Sequence, residues 1–192
     1  MTTTAALTPE QARARLHELT VIDVRTPGEY ASGHLPGAHN IPLDQLDRAV
    51  HVLRRTALRG SLLVVCAAGD RSARACSRLA AHGVSAATLT GGTTAWAGRG
   101  YDVDRSEGAR AVWAMERQVR LAAGSLVLCG LLAGHRLPKA RLLSTAIAGG
   151  LVFSALTDTC GMAQVLARLP WNRPRAAGLD AALTALAGPS SP

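Results

Sequence analysis

A strand that runs directly into a helix leaves a chain few choices of fold, and residues 61–79, S-L-L-V-V-C-A-A-G-D-R-S-A-R-A-C-S-R-L, carry that pattern. Leu62–Val65 is an unbroken apolar run of strand length, as expected of a strand covered on both faces. It ends on one thiol, Cys66. Ala67, Ala68, Gly69 and Asp70 form a small turn. From Arg71 and Ser72 a helical period puts Cys76, Leu79, Ala80 and Gly83 on one face. A thiol at a strand-to-helix turn faces backbone N–H groups and the positive end of the helix, and Arg71 adds a full charge. Such a site suits nucleophilic thiolate chemistry on an anionic or electrophilic substrate.

The flanking sequence repeats the alternation. Thr8-Pro9-Glu10 reads as a helix start, with Thr8 as N-cap and Pro9 first in the helix, which runs to about His17. Val21–Arg25 is a strand, followed by a Pro-Gly turn and a short helix around Glu29–Ala31. His34–Pro42 is a loop leading into a helix over about Leu43–Arg55. Beyond the central unit, Ala86–Leu89 is a strand, Gly91-Gly92 turns into a short helix carrying Trp96, and Tyr101–Val103 closes the domain. Strands alternating with helices predict an α/β domain with a parallel sheet, whose reactive groups lie beyond the C-terminal strand ends.

The rest of the chain has a different character. Residues 1–116 carry 13 basic and 11 acidic side chains, a net of +2, whereas residues 117–192 carry 8 and 2, a net of +6. That excess sits beside the most apolar stretches, Leu121–Ala133 (extendable to Leu137) and Leu142–Leu156, with few aromatic residues nearby. Membrane flanks explain this better than nucleic-acid binding. Both stretches are shorter than the ~20 residues that span a bilayer, but snorkelling Arg residues and interfacial Trp113 and Trp171 extend them. Their glycines and serines (Gly124, Ser125, Gly130, Gly134, Ser144, Gly149, Gly150, Ser154) suit close contacts between membrane helices. The four cysteines, Cys66, Cys76, Cys129 and Cys160, are widely spaced, which argues against a disulfide framework or zinc site and fits a reducing compartment. The first residues lack the apolar core of a signal peptide.

Asp23-Val24-Arg25, Glu29-Tyr30, Gly33-His34-Leu35-Pro36-Gly37-Ala38-His39-Asn40-Ile41-Pro42, the C-x-x-G-x-R-S loop of Cys66–Ser72, Gly91-Gly92 with Trp96, and Gly100-Tyr101 occur in that order. Over roughly residues 7–104 the chain thereby resembles the rhodanese (sulfurtransferase) family. The resemblance implies a five-stranded parallel α/β domain, with Cys66 as the nucleophile that carries sulfur as a persulfide. Met115–Asn172, with C-G-M-A at Cys160–Ala163 and L-P-W-N at Leu169–Asn172, is similar to the two-helix hairpin of membrane-bound single-domain rhodaneses.

The expected fold is therefore a rhodanese-like parallel sheet flanked by helices, followed by an all-α transmembrane hairpin. The domains are 1–104, a linker over 105–118, the hairpin over 119–172 (spans about 119–137 and 141–159) and a flexible tail over 173–192. The expected function is sulfane-sulfur transfer from a donor, thiosulfate or a persulfide, to cyanide or a thiol. Cys66 is catalytic, and Ala67, Ala68, Gly69, Asp70, Arg71 and Ser72 bind substrate. Arg71 either braces the loop or meets the substrate anion. Asp70 opposes an anionic donor. Asp23, Arg25 and Glu29 make structural ion pairs and caps, and His34 and His39 are structural, since attack by a thiolate needs no base. Cys76 belongs to the core and Cys129 is inert packing. Cys160, after Asp158, is either a small residue at a helix end or a second thiol that receives sulfur. No metal or cofactor and no nucleic acid is expected; the partners are the bilayer and, through the hairpin, a second copy.

Cysteine phosphatases and arsenate reductases are the nearest rival. Four residues separate Cys66 from Arg71 where related phosphatases have five, and the shorter loop fits one sulfur better than a tetrahedral phosphate. A rival of another class is a sulfur-anion transport or sensing module built on an oligomeric hairpin, but no ionisable residue lies mid-helix to favour it. The expected location is the inner membrane, multi-pass, with the rhodanese domain and both termini cytoplasmic.

Overall fold

The computed structural model describes residues 5–106, 112–157, 161–170, 172 and 176–187. It divides into two units, Met1–Val112 with Pro174–Pro192, and Trp113–Arg173.

Alternation along the central strands builds the first unit. The strands are β1 (Ala6–Leu7), β2 (Leu19–Asp23), β3 (His39–Asn40), β4 (Ser61–Val65) and β5 (Ala87–Leu89), all parallel in the order β1-β5-β4-β2-β3. In register, Leu19 lies against Ser61 and Asp23 against Val65, so β2 and β4 end level with each other. Successive side chains point to opposite faces. Ile22, Leu62, Val64 and Cys66 pack with helices α3 (Leu46–Ala57) and α4 (Asp70–Ala81), through Leu46, Val50, Leu53, Ala75 and Leu79. Val21, Leu63, Val65 and Leu89 pack on the other face with Ala12 of α1 (Pro9–Ala14), Leu35 in the loop before β3, and Trp96 of α5 (Gly92–Gly98). β4 is central and covered on both sides, which is why its sequence shows no polar alternation.

The predicted Thr8 cap forms. Thr8 Oγ1 accepts from the Gln11 amide and Gln11 Oε1 accepts from the Thr8 amide, with Pro9 opening α1. Thr26 and Glu29 make the same reciprocal pair at α2 (Pro27–Ser32). Tyr101–Val103 closes the domain without a strand: the Trp96 indole donates to the Asp102 carbonyl, and Tyr101 meets Trp96 edge-on. The fifth strand is Ala6–Leu7, too short to show a period.

The region expected to be a loose tail contains a helix, α9 (Ala176–Ala187). Its Ala-rich composition hides a helical spacing of Leu179, Ala182, Leu183 and Leu186, which pack into the same core as α3. Arg48 reaches Asp180 at 3.8 Å, and Arg59 donates to the Ala187 carbonyl at 3.3 Å. Leu179 is 3% exposed, so Leu179→Ala should lower the stability of this unit by about 2–3 kcal/mol in denaturant unfolding. An unchanged midpoint would mean that α9 is not part of the folded core.

In the second unit, α6 (Met115–Ala133) and α7 (Arg141–Thr157) form a hairpin, followed by α8 (Gly161–Ala167). Gly130 sits where a Cβ would strike Ser144, whose hydroxyl donates to the Val127 carbonyl at 3.0 Å. The first helix ends at Ala133, short of the expected residue 137, and the chain turns from Gly134, where an added Cβ would meet Arg141. Asn172, from L-P-W-N, donates to Gln118 Oε1 at 2.9 Å and to the Leu166 carbonyl at 3.0 Å, tying the end of the unit to α6. Outward side chains are apolar, among them Leu128, Leu131, Leu132, Leu142, Val152 and Phe153. Pro138–Thr157 has 20 residues, a mean hydropathy of 1.4 and 6% of its length buried, and is long and apolar enough to cross a membrane.

Candidate active site

The apolar face of β4 ends at Cys66, 1% exposed, and Gly69, at φ +124°, turns the chain into α4. This turn folds back over the sulfur. The Gly69 amide donates to Cys66 Sγ at 3.1 Å and the Ser72 amide at 3.3 Å. The thiol in turn donates to Ser72 Oγ at 3.6 Å; that hydroxyl donates to the Gly69 carbonyl at 2.8 Å and shares a hydrogen bond with Thr88. Two amides aimed at the sulfur place positive partial charge where negative charge sits on a thiolate.

A second layer fixes the turn from behind. The Thr93 amide donates to the Cys66 carbonyl at 2.8 Å and the Thr94 amide to the Ala67 carbonyl at 3.1 Å. This approach requires Gly92, at φ +59°: a Cβ there would run into the Cys66 carbonyl and lie 2.6 Å from the Ala67 carbonyl carbon and oxygen. Gly91-Gly92 therefore does more than turn the chain. It brings the start of α5 against the backbone of the reactive loop.

Arg71 is held from the side. Its Nη1 and Nη2 donate to Glu29 Oε2 and Oε1, each at 2.8 Å, and the Glu29 side chain is 1% exposed. Glu29 Oε2 also accepts from the Thr26 amide at 3.0 Å and the Thr26 hydroxyl at 2.9 Å, so one carboxylate caps α2 and anchors the reactive loop. Asp23 and Arg25 form a buried pair at 2.6 Å, with Arg25 Nη2 reaching the Gly33 carbonyl at 2.7 Å. Asn40 Nδ2 donates to the carbonyls of Asp23 and Arg25, both at 3.0 Å. These groups hold the strand ends on which the loop stands.

The other candidates fall outside this cradle. His34 is buried, stacks on Tyr30 with ring centroids 3.7 Å apart, and places Nδ1 2.9 Å from the Tyr30 carbonyl. His39 is half-buried in β3, and burial lowers its pKa. Cys76 is buried in α4; burial, with a smaller contribution from Cys66, pushes its thiol up to about 11, so it stays protonated and unreactive at neutral pH. Cys129 is exposed on α6. Cys160 and Trp171 lie outside the described residues. At the mouth of the loop Ala68 and Asp70 are exposed, whereas Ala67 and Ser72 are buried. The sequence treats Glu29 and Arg71 as separate features; what joins them is a contact between α2 and α4, 42 residues apart, that no spacing rule reveals.

Residues 8–99 match the family model Rhodanese-like domain, and residues 113–175 match Inner membrane protein YgaP-like, transmembrane domain. An uncharacterized protein of Synechocystis sp. is 33% identical over 174 residues, covering 89% of this chain and 93% of that protein. A protein of Allochromatium vinosum named Sulfurtransferase is 29% identical over 99 residues, 51% of this chain and 90% of its own. The crystal structure of a rhodanese-related protein from Thermoplasma volcanium is 30% identical with a TM-score of 0.49, covering 52% of this chain and 97% of that one. The chain belongs to the membrane-anchored rhodanese family, a rhodanese-like domain followed by a transmembrane region.

Proposed function

We propose that the protein is a sulfurtransferase that moves sulfane sulfur through a persulfide on Cys66. The observation that carries this is the cradle itself, a thiol at the end of β4 with the amides of Gly69 and Ser72 directed at its sulfur. The Cys66 thiolate attacks the outer sulfur of a donor. With thiosulfate, a new S–S bond forms on Cys66, the S–S bond of thiosulfate breaks and sulfite leaves with the electron pair. The terminal persulfide sulfur then takes the place of the thiolate under the loop amides. Cyanide or a thiolate attacks that outer sulfur, forming thiocyanate or a new persulfide and releasing the Cys66 thiolate. The likeness to the Allochromatium vinosum sulfurtransferase supports the reading. The full-length protein should form thiocyanate from cyanide and a sulfane donor with catalytic turnover; no thiocyanate above the uncatalysed rate with thiosulfate or a persulfide would overturn it.

The transmembrane region is proposed to cross the inner membrane twice, with both ends cytoplasmic. Residues before and after it, to Val112 and from Pro174, belong to one folded unit, and such a unit lies on one side of a bilayer. Arg105, Arg110, Arg117, Arg120, Arg168, Arg173 and Arg175 flank the two ends, against Arg136, Lys139 and Arg141 at the turn, a bias that favours cytoplasmic ends. In a variant with the native cysteines replaced and single cysteines at Lys139 and Ser190, an impermeant maleimide should label position 139 in intact cells. Labelling at 190 but not at 139 would reverse the orientation.

A further inference from the structure

Two kinds of sulfur donor differ in the charge that the loop must accommodate. Thiosulfate is a dianion with three oxygens that must be held once it leaves water. A hydropersulfide delivers the same sulfur from its protonated form, R–S–S–H, with no charge on the reacting group.

The arginine of the loop is already committed. Arg71 gives both terminal nitrogens to Glu29, at 2.8 Å each, and its side chain is 14% exposed. Its positive charge is matched by a buried carboxylate. Asp70 follows Gly69, whose amide touches the sulfur, and it is exposed at the first position of α4, where its charge opposes any anion drawn to that helix end. Arg74 stands four residues further along the same face. The formal charges of Glu29, Asp70, Arg71 and Arg74 therefore sum to zero. The remaining exposed side chain of the turn is the methyl of Ala68. The amides of Gly69 and Ser72 serve one sulfur position, and those of Thr93 and Thr94 are spent on the carbonyls of Cys66 and Ala67. These four side chains therefore supply no net positive charge to compensate a desolvated sulfonate.

We infer that the site takes its sulfur from a persulfide in preference to thiosulfate, and that Asp70 is a specificity-determining residue; this rests on the sulfurtransferase reading above. In the loading step the Cys66 thiolate attacks the outer sulfur of R–S–S–H. The Cys66 S–S bond forms, the donor S–S bond breaks, R–S⁻ leaves with the electron pair, and the proton remains on the transferred sulfur. Charge is conserved and no outside oxidant or reductant takes part.

The test uses the full-length protein in detergent and follows by mass spectrometry the rate at which Cys66 gains a sulfur from cysteine hydropersulfide or from thiosulfate. At low ionic strength the second-order rate constant should favour the hydropersulfide by at least ~10-fold, since repulsion acts mainly on the dianion. Asp70→Asn and Asp70→Lys should narrow that ratio stepwise by raising the thiosulfate rate, and added salt should shrink the gain. Thiosulfate loading as fast as the hydropersulfide, or a ratio unmoved by both substitutions, would overturn the donor preference and leave sulfur transfer standing. Loading by neither donor would overturn the sulfurtransferase reading, and this inference with it.

Discussion

Cys66→Ser should abolish sulfur transfer, with a loss of at least ~10³-fold in kcat/KM, while leaving the fold within about 1 kcal/mol of the parent. The substitution is nearly isosteric, and a serine oxygen can accept the hydrogen bonds that the Gly69 and Ser72 amides give to the sulfur. Structure is retained and chemistry is lost. A serine hydroxyl stays protonated at neutral pH and cannot carry a sulfane sulfur. The measurement is thiocyanate formation beside a thermal unfolding curve. Residual activity above a few per cent of the parent, in protein of unchanged Tm, would remove Cys66 from the mechanism.

The second large effect is expected at a residue with no functional group. Gly92→Ala places a methyl group where the Cys66 carbonyl and the Ala67 backbone now lie, and neither can retreat without moving the loop. The bonds from the Thr93 and Thr94 amides to those carbonyls would open, and the amides on the sulfur would shift with them. A displacement near 1 Å at a reacting centre costs ~10²-fold in rate. The clash and the loss of a residue suited to φ +59° should also lower stability by about 3 kcal/mol. Gly69→Ala is the control. That residue also has a positive φ, +124°, but no atom lies within 4 Å of the added Cβ, so it should show backbone strain of only ~1–2 kcal/mol. If Gly92→Ala kept the parental rate, α5 would not be what holds the loop in place.

Much of the first unit is legible from local signals. The apolar run of β4, the Thr8 cap and the strand–turn–helix at Cys66 depend on neighbours in sequence, and the structure forms them where those neighbours dictate. What escapes the sequence depends on distant partners. β1 has two residues and exists because β5 lies beside it. The role of Gly92 comes from a loop that precedes it by 26 residues in the chain, and the commitment of Arg71 from a carboxylate 42 residues away. α9 was hidden by composition: an Ala- and Pro-rich end reads as a loose tail until the spacing of Leu179, Leu183 and Leu186 is set against the open face of α3. In the second unit the apolar segments and the Pro138 turn are plain in the sequence. The early end of α6, at Ala133, is not marked in that apolar run.

The most direct test of the central claim is the location of the transferred sulfur. Full-length protein should be exposed to a sulfane donor under single-turnover conditions, digested, and each cysteine-containing peptide weighed before and after addition of cyanide. The Cys66 peptide should gain the mass of one sulfur atom and lose it on adding cyanide, with thiocyanate appearing in equal amount, while the peptides holding Cys76 and Cys129 stay unchanged. Thiocyanate formed with Cys66 unmodified throughout, or sulfur that loads and discharges at another cysteine, would contradict the account.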